Sequence, residues 1–581
     1  MAQKTINLQE MLTYALHYLS RNPNPRMDYL PYFGGKIPED GPPRLERCYW
    51  DYGDGTGRFL ESSQLTKRAL GHGIASEVEK GLWKNLFSGI ASDGLFYSPE
   101  TPWSSGDYAD VWYQRGFLAA MLLRYEEAPE AQDLKVITRM IDVLDELAIR
   151  ENGETFFYYS WNRNRQWNRD ESLSPVFALI DILTLCAEVT GNTKALSLAG
   201  DLVQSMLDGK YRYFDDEGSV CYPISQEELA DFKGQNVDFT LVDGKPVIES
   251  KSAWLLNNGH ATSRSTSLLG LVRYSIFTGD RKLLERSKII YDKFTSDYCT
   301  SFGWAPENLL TAGRECSEMC TTADLLISQI LLAKAGYYEY WEHTEKYLRN
   351  HITQSQFFPN EVVEEIAQRY DSAIPESLDN DHMSYENVLN RLAGGFAGPI
   401  YPDDLFCFYP KSRKNPQGTR TIDISGCCSP SGIKAVAWAL LNAVDFSGNS
   451  VKVNLLMDYK NDIIQMDSAL PNKGEISVYV KKNVDLSVRA PLWCKRSEDI
   501  QCAINNSNKP VHISEGYVRF GRLASGSEVV MKFSLPQSNE EMIVGQIPYE
   551  LSWRGYNVVS LKNLTDYQPL MPCYNKYSVQ I

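Results

Sequence analysis

The sequence predicts a helical toroid followed by an all-β region. Helical periodicity governs the chain up to about residue 443, Gly-centred turns join neighbouring helices into hairpins, and apolar–polar alternation takes over after about residue 445.

In chain order, apolar spacing predicts helices over 5–20, 57–71, 76–90, 108–126, 130–149, 173–190, 192–208, 261–278, 280–297, 319–336, 338–352 and 432–443. In 261–278, Leu268, Leu269, Val272 and Ile276 recur at helical spacing and build one apolar face. Thr190-Gly191-Asn192 and Thr278-Gly279-Asp280 each end one helix on a glycine and cap the next with a short polar side chain. Antiparallel helices joined in this way fit an (α/α) toroid, with a looser solenoid as the competing shape. The stretches 209–256 and 353–431 are rich in Gly, Pro, Asp and Asn, and loops of such length are usually functional. Past the boundary at Ser447-Gly448-Asn449, strands are expected at 451–455, 476–480, 486–490, 517–520 and 529–533. This divides the chain into a helical domain, 1–446, and a β-sandwich, 447–581.

Composition narrows the function. Lys plus Arg is 58 against 74 Asp plus Glu, a formal charge of −16, and no basic run is present. Such a chain is a poor partner for nucleic acid or an anionic membrane. Hydrophobic residues are 43% and charged ones 23%, so the chain is globular. No stretch approaches the ~20 apolar residues that span a bilayer. Met1 to Asn7 carry no apolar leader core, so a cytoplasmic location is expected. The 12 cysteines then argue for reduced thiols or a metal site over a disulfide frame.

Two cysteine clusters carry the strongest chemical signal. Glu315-Cys316-Ser317-Glu318-Met319-Cys320 precedes one predicted helix, and Ser425-Gly426-Cys427-Cys428-Ser429-Pro430 precedes the last. Zinc takes thiolate and carboxylate ligands, usually four, and a helix N-terminus favours their charge. Cysteines also pack as small hydrophobes, and spacing alone leaves both readings open.

Ser317-Glu318-Met319-Cys320, followed about a hundred residues later by Gly426-Cys427-Cys428-Ser429-Pro430, resembles glycoside hydrolase family 127, the β-L-arabinofuranosidase-like group. Asn258-Gly259-His260-Ala261, the 385–410 stretch and Val488 to Trp493 are similar to that family as well. The resemblance implies an (α/α)6 barrel followed by β-sandwich modules, and an exo-acting, retaining hydrolase with a zinc-bound cysteine nucleophile. Carried over, Cys427 attacks the anomeric carbon, and Glu318, Cys320 and Cys428 complete the Zn2+ shell with it. Glu307 is the general acid/base, with Glu315 in reserve, and His260 contacts a sugar hydroxyl.

The chain departs from the family where sugar is recognised. The family's Gly-His pair reads Gly116-Phe117 here, and another Gly-His is replaced near Ser172 to Pro175. Arg115, Arg163, Arg165 and Arg169 offer a carboxylate partner instead, which points to an acidic or otherwise modified sugar. Trp103, Trp161, Trp167 and Trp304 are candidate stacking faces, Trp304 foremost. The expected partner is an oligosaccharide or small glycoside, with homodimerisation left open. Two other classes compete: a toroid-type polysaccharide lyase, which leaves Cys427-Cys428 unexplained, and a carbohydrate-binding protein with a structural zinc.

Overall fold

The computed structural model describes residues 6–167, 176–222, 240–242, 245–247, 258–310, 316–374, 381–408 and 419–573. The longer helices are α1 (Leu8–Arg21), α2 (Gly53–Leu70), α3 (Ser76–Ser88), α4 (Val111–Glu127), α5 (Ala131–Leu147), α6 (Ile180–Thr190) and α7 (Thr193–Asp208). They continue with α8 (Ala261–Thr278), α9 (Arg281–Tyr298), α10 (Met319–Lys334), α11 (Tyr340–Tyr347), α12 (Glu361–Arg369) and α13 (Cys428–Asn442).

Six of them form a closed inner ring. α2 packs on α4, α4 on α6, α6 on α8, α8 on α10, α10 on α13, and α13 returns to α2. Outside it, α1, α3, α5, α7, α9 and α11 each pack on the inner helix next to them in the chain. This is an (α/α)6 toroid. The burial pattern sets the layer: α5 buries Ile137, Met140, Ile141, Leu144 and Leu147 on one stripe, as an outer helix does. Every residue of α4 from Val111 to Leu123 is buried, as an inner helix requires. Gly191 and Gly279 end α6 and α8 in the left-handed region, at φ 72° and 71°. Asn192 and Asp280 then cap α7 and α9 by accepting from the Ala195 and Leu283 amides at 2.9 and 3.0 Å.

Several helix starts differ from the expected ones: α6 begins at Ile180 and not at 173, with Val176 held in a bridge to Phe157, and α1 and α4 begin at Leu8 and Val111. α2 begins at Gly53 because its glycines serve packing: a Cβ at Gly57 would lie 2.4 Å from the Gly116 carbonyl carbon of α4. α13 begins at Cys428, since Pro430 falls in the first turn, where the missing N–H has no intrahelical partner to lose. α12 lies within a stretch expected to be loop.

Strands follow α13 directly, the first being Val444–Ser447. The β-rich region holds sheets of five, six and three strands. In the six-stranded sheet Ile476 pairs with Met531 and Val478 with Val529, all buried, so one face is apolar. A smaller sheet at the toroid, in the order Thr421–Asp423, Gly34–Pro38, Arg44–Glu46, Met383–Ser384, leads straight into the double cysteine. Among the described residues no helix is long and apolar enough to cross a membrane.

The two regions share a buried ionic joint. Arg489, 2% exposed, pairs with Glu342 and Glu345 of α11 and donates to Tyr556 Oη at 3.0 Å. Removing one partner of such a group strands the others in the core. Arg489→Ala is therefore expected to cost about 3–5 kcal/mol of stability. Thermal and denaturant unfolding measure this, and a loss below about 1 kcal/mol would show the joint to be dispensable.

Candidate active site

Three adjacent inner helices bring their N-terminal ends to one place. His260 is the N-cap of α8, Glu318 that of α10 and Cys427 that of α13, with Cys320 and Cys428 in the first turns. Helix dipoles at this end favour anionic groups. The Gly426 amide, hydrogen-bonded to the Phe33 carbonyl at 2.5 Å, ties the double cysteine to the small sheet.

The Sγ atoms of Cys320, Cys427 and Cys428 all lie within 4.8 Å of one another. Cys320 and Cys428 are 3.7 Å apart, and Cys427 and Cys428 are 3.8 Å apart. Adjacent cysteines converge because Cys427 has helical φ and ψ at the cap. Hydrogen bonds from the other two thiols, helped by the Arg58 guanidinium, hold Cys320 well below the usual thiol range. Cys427 and Cys428 are pushed well above it, chiefly because Cys320 beside them is the group that ionises first. Such a trio suits a cation that accepts several thiolates together.

Glu318 stands beside this trio, not within it. Its Oε1 lies 2.9 Å from His260 Nε2, and its Oε2 accepts from Thr262 and Thr321 at 2.5 and 3.1 Å. Burial opposes the imidazolium of His260, but the Glu318 carboxylate outweighs it and raises the histidine to about 9. Glu307 is half-buried, its amide donating to the Cys316 carbonyl at 3.0 Å and its own carbonyl accepting from Ala261 at 2.9 Å. This places it between the start of α8 and the segment entering α10, where its charge also acts on His260.

Trp304 is 2% exposed and its indole N–H donates to the Ile400 carbonyl at 3.2 Å, which leaves no open face for a sugar ring. Trp161 is also buried, and Trp103 stacks on His382. Arg115, buried in the ring 3.9 Å from Asp181, also feels Asp54 and Asp324, so it balances interior carboxylates. Arg163 donates to the Gly106 carbonyl, and Arg165 pairs with Asp93 and Glu146. Glu315 and Arg169 lie outside the described residues.

The thiols are not all reduced. Cys316 and Cys407 form a disulfide across 91 residues, buried with Tyr401, and join the loop before Glu318 to the loop leading toward Cys427. Two loops crossing at the same end of the toroid bring the pair together, which sequence spacing does not reveal. Sequence reasoning also missed Asp54 and Arg58, whose i,i+4 spacing on an inner helix was the available signal.

No family model and no curated protein matches the sequence. Among solved structures, the GH127 β-L-arabinofuranosidase of Geobacillus stearothermophilus T6 superposes with a TM-score of 0.55 at 15% identity, over 87% of this chain and 77% of that one. The chain shares its fold. A second GH127 β-arabinofuranosidase gives 0.55 at 14% identity, over 95% and 78% of the two chains. A protein described as a glycoside hydrolase gives 0.53 at 13%, over 90% and 83%. At these identities the likeness to the GH127 enzymes is one of fold.

Proposed function

We propose that the chain is a retaining, exo-acting glycoside hydrolase whose nucleophile is Cys427. The observation that carries this is the meeting of three sulfurs, from residues 108 apart in sequence, at the N-terminal end of the toroid's inner ring. A lyase has no use for such a trio, and a closed structural site would bury all three cysteines, whereas Cys427 is half-buried as a residue.

Cys320, Cys427 and Cys428 would hold zinc, and Glu318 completes the set by releasing His260. When bound, zinc keeps the thiolates deprotonated at neutral pH. The Cys427 thiolate attacks the anomeric carbon as the glycosidic C–O bond breaks, and Glu307 gives its proton to the departing oxygen. Glu307 then takes a proton from water, the water oxygen displaces sulfur, and the two inversions retain configuration. His260, partly exposed beside Glu318, donates to a sugar hydroxyl. Arg163 and Arg165 are engaged with Gly106, Asp93 and Glu146, so a neutral furanoside such as a β-L-arabinofuranoside is the first substrate to test, with sugar acids beside it.

The purified protein is expected to hold about one zinc per chain, matching one four-ligand site. Metal analysis checks this, and full occupancy in a Cys320→Ser, Cys428→Ser double variant would sink the assignment. Hydrolysis of a 4-nitrophenyl glycoside panel, with product configuration read by NMR, tests the activity. Binding without turnover across the panel would favour a carbohydrate-binding protein.

A further inference from the structure

Arg58 lies in the second turn of α2, 6% exposed, on the side of the ring where α2 meets α13. Its Nε donates to Asp54 Oδ1 at 2.7 Å and its Nη1 to Ser431 Oγ at 3.1 Å. Ser431 Oγ in turn donates to the Cys427 carbonyl at 2.8 Å. A chain of contacts thus runs from Asp54 through Arg58 and Ser431 to the turn that carries Cys427 and Cys428.

Three thiolates, with or without a carboxylate, more than cancel a divalent zinc, and the excess negative charge is buried. A buried charge without a partner is costly, and a guanidinium supplies the partner without competing for the metal. Its planar fork lets one side chain hold Asp54 with one arm and Ser431 with another, which the single ammonium of lysine reproduces poorly.

We infer that Arg58 is a positioning residue of the cysteine centre: anchored by Asp54, it fixes the first turn of α13 through Ser431 and balances the charge of the metal-bound thiolates. This rests on the zinc reading above. Partners of this kind outside the ligand set change metal affinity about 10–100-fold when removed.

The test compares the wild type with Arg58→Met, Arg58→Lys and Ser431→Ala. It adds the double variant Asp54→Asn, Arg58→Met, which removes both charges and leaves no buried carboxylate behind. Circular dichroism reports folding, chelator competition reports zinc affinity, and the thiolate-to-cobalt absorption of the Co2+-loaded protein reports site geometry. The expected result is zinc affinity about 10–100-fold weaker in Arg58→Met and in the double variant, with a shifted cobalt band. Arg58→Lys and Ser431→Ala should fall between these and the wild type. A folded double variant with wild-type zinc affinity and an unchanged cobalt band overturns the proposal, even if Arg58→Met alone fails to fold. A wild type that binds neither metal overturns the zinc reading instead. Iodoacetamide alkylation of Cys427 then decides on Arg58: a slower rate in the double variant supports it, and an equal rate overturns it.

Discussion

Replacing Cys427 by serine is expected to abolish turnover, with kcat falling by about 10³-fold or more, the scale seen when a nucleophile is removed. A serine hydroxyl is barely ionised at neutral pH, and a serine oxygen in the zinc shell remains a weak nucleophile. Burial explains why the loss should centre on Cys427 and not its neighbours. Cys320 is 2% exposed and Cys428 3%, whereas Cys427 is half-buried as a residue, which makes it the cysteine of the trio proposed to meet the sugar. Cys428→Ser should therefore act mainly through metal occupancy, and excess zinc should restore part of its activity. Cys427→Ser should keep much of its metal and regain nothing. A slow, activated fluoro-sugar should leave a glycosyl mass on the wild-type peptide containing Cys427. If Cys427→Ala kept near-normal turnover with retained configuration, the cysteine mechanism would be wrong here despite the geometry.

Much of the scaffold was legible because each layer writes its burial into the chain. Outer helices such as α5 carry a single apolar stripe, and inner helices such as α4 are buried all round, so both show as helix. The strands Glu475–Val480 and Glu528–Phe533 bury every second residue, and a period of two is as plain as one of 3.6. What failed did so where one residue type serves two purposes. Pro430 and the glycines of α2 look like breakers, yet one occupies a first turn and the others allow close helix packing. The site was legible in its sulfurs, because Cys320, Cys427 and Cys428 are local signals at helix starts. It was not legible in its partners. The Cys316–Cys407 bridge, the grip of His260 and Thr262 on Glu318, and the Arg58–Ser431 link all join positions far apart in sequence. Trp304 misled for the same reason: a polar local context says nothing of a carbonyl 96 residues away that takes its N–H.

The Glu307→Gln variant is expected to separate substrates by leaving group. Alkyl glycosides leave as poor alkoxides and need a proton, so their hydrolysis should fall by about 10²–10⁴-fold, the range that general acid catalysis supplies. Activated aryl glycosides leave unaided, so their first step should be nearly spared while the second, which needs a base for water, slows. The glycosyl-cysteine species should then accumulate, giving a burst of phenol and a lowered KM. Azide needs no base, so it should speed that second step and yield a glycosyl azide of retained configuration. The position of Glu307 supports this division of labour. Its backbone is clamped between Cys316 and Ala261, on the strand of chain that faces the segment entering α10, and it is not among the convergent ligand atoms, as suits a group that shuttles a proton and binds no metal. Zinc content should accordingly stay at the wild-type level in this variant. If both substrate types lost activity equally, without azide rescue, Glu307 would not be the acid/base, and the role would pass to another carboxyl group such as Glu315.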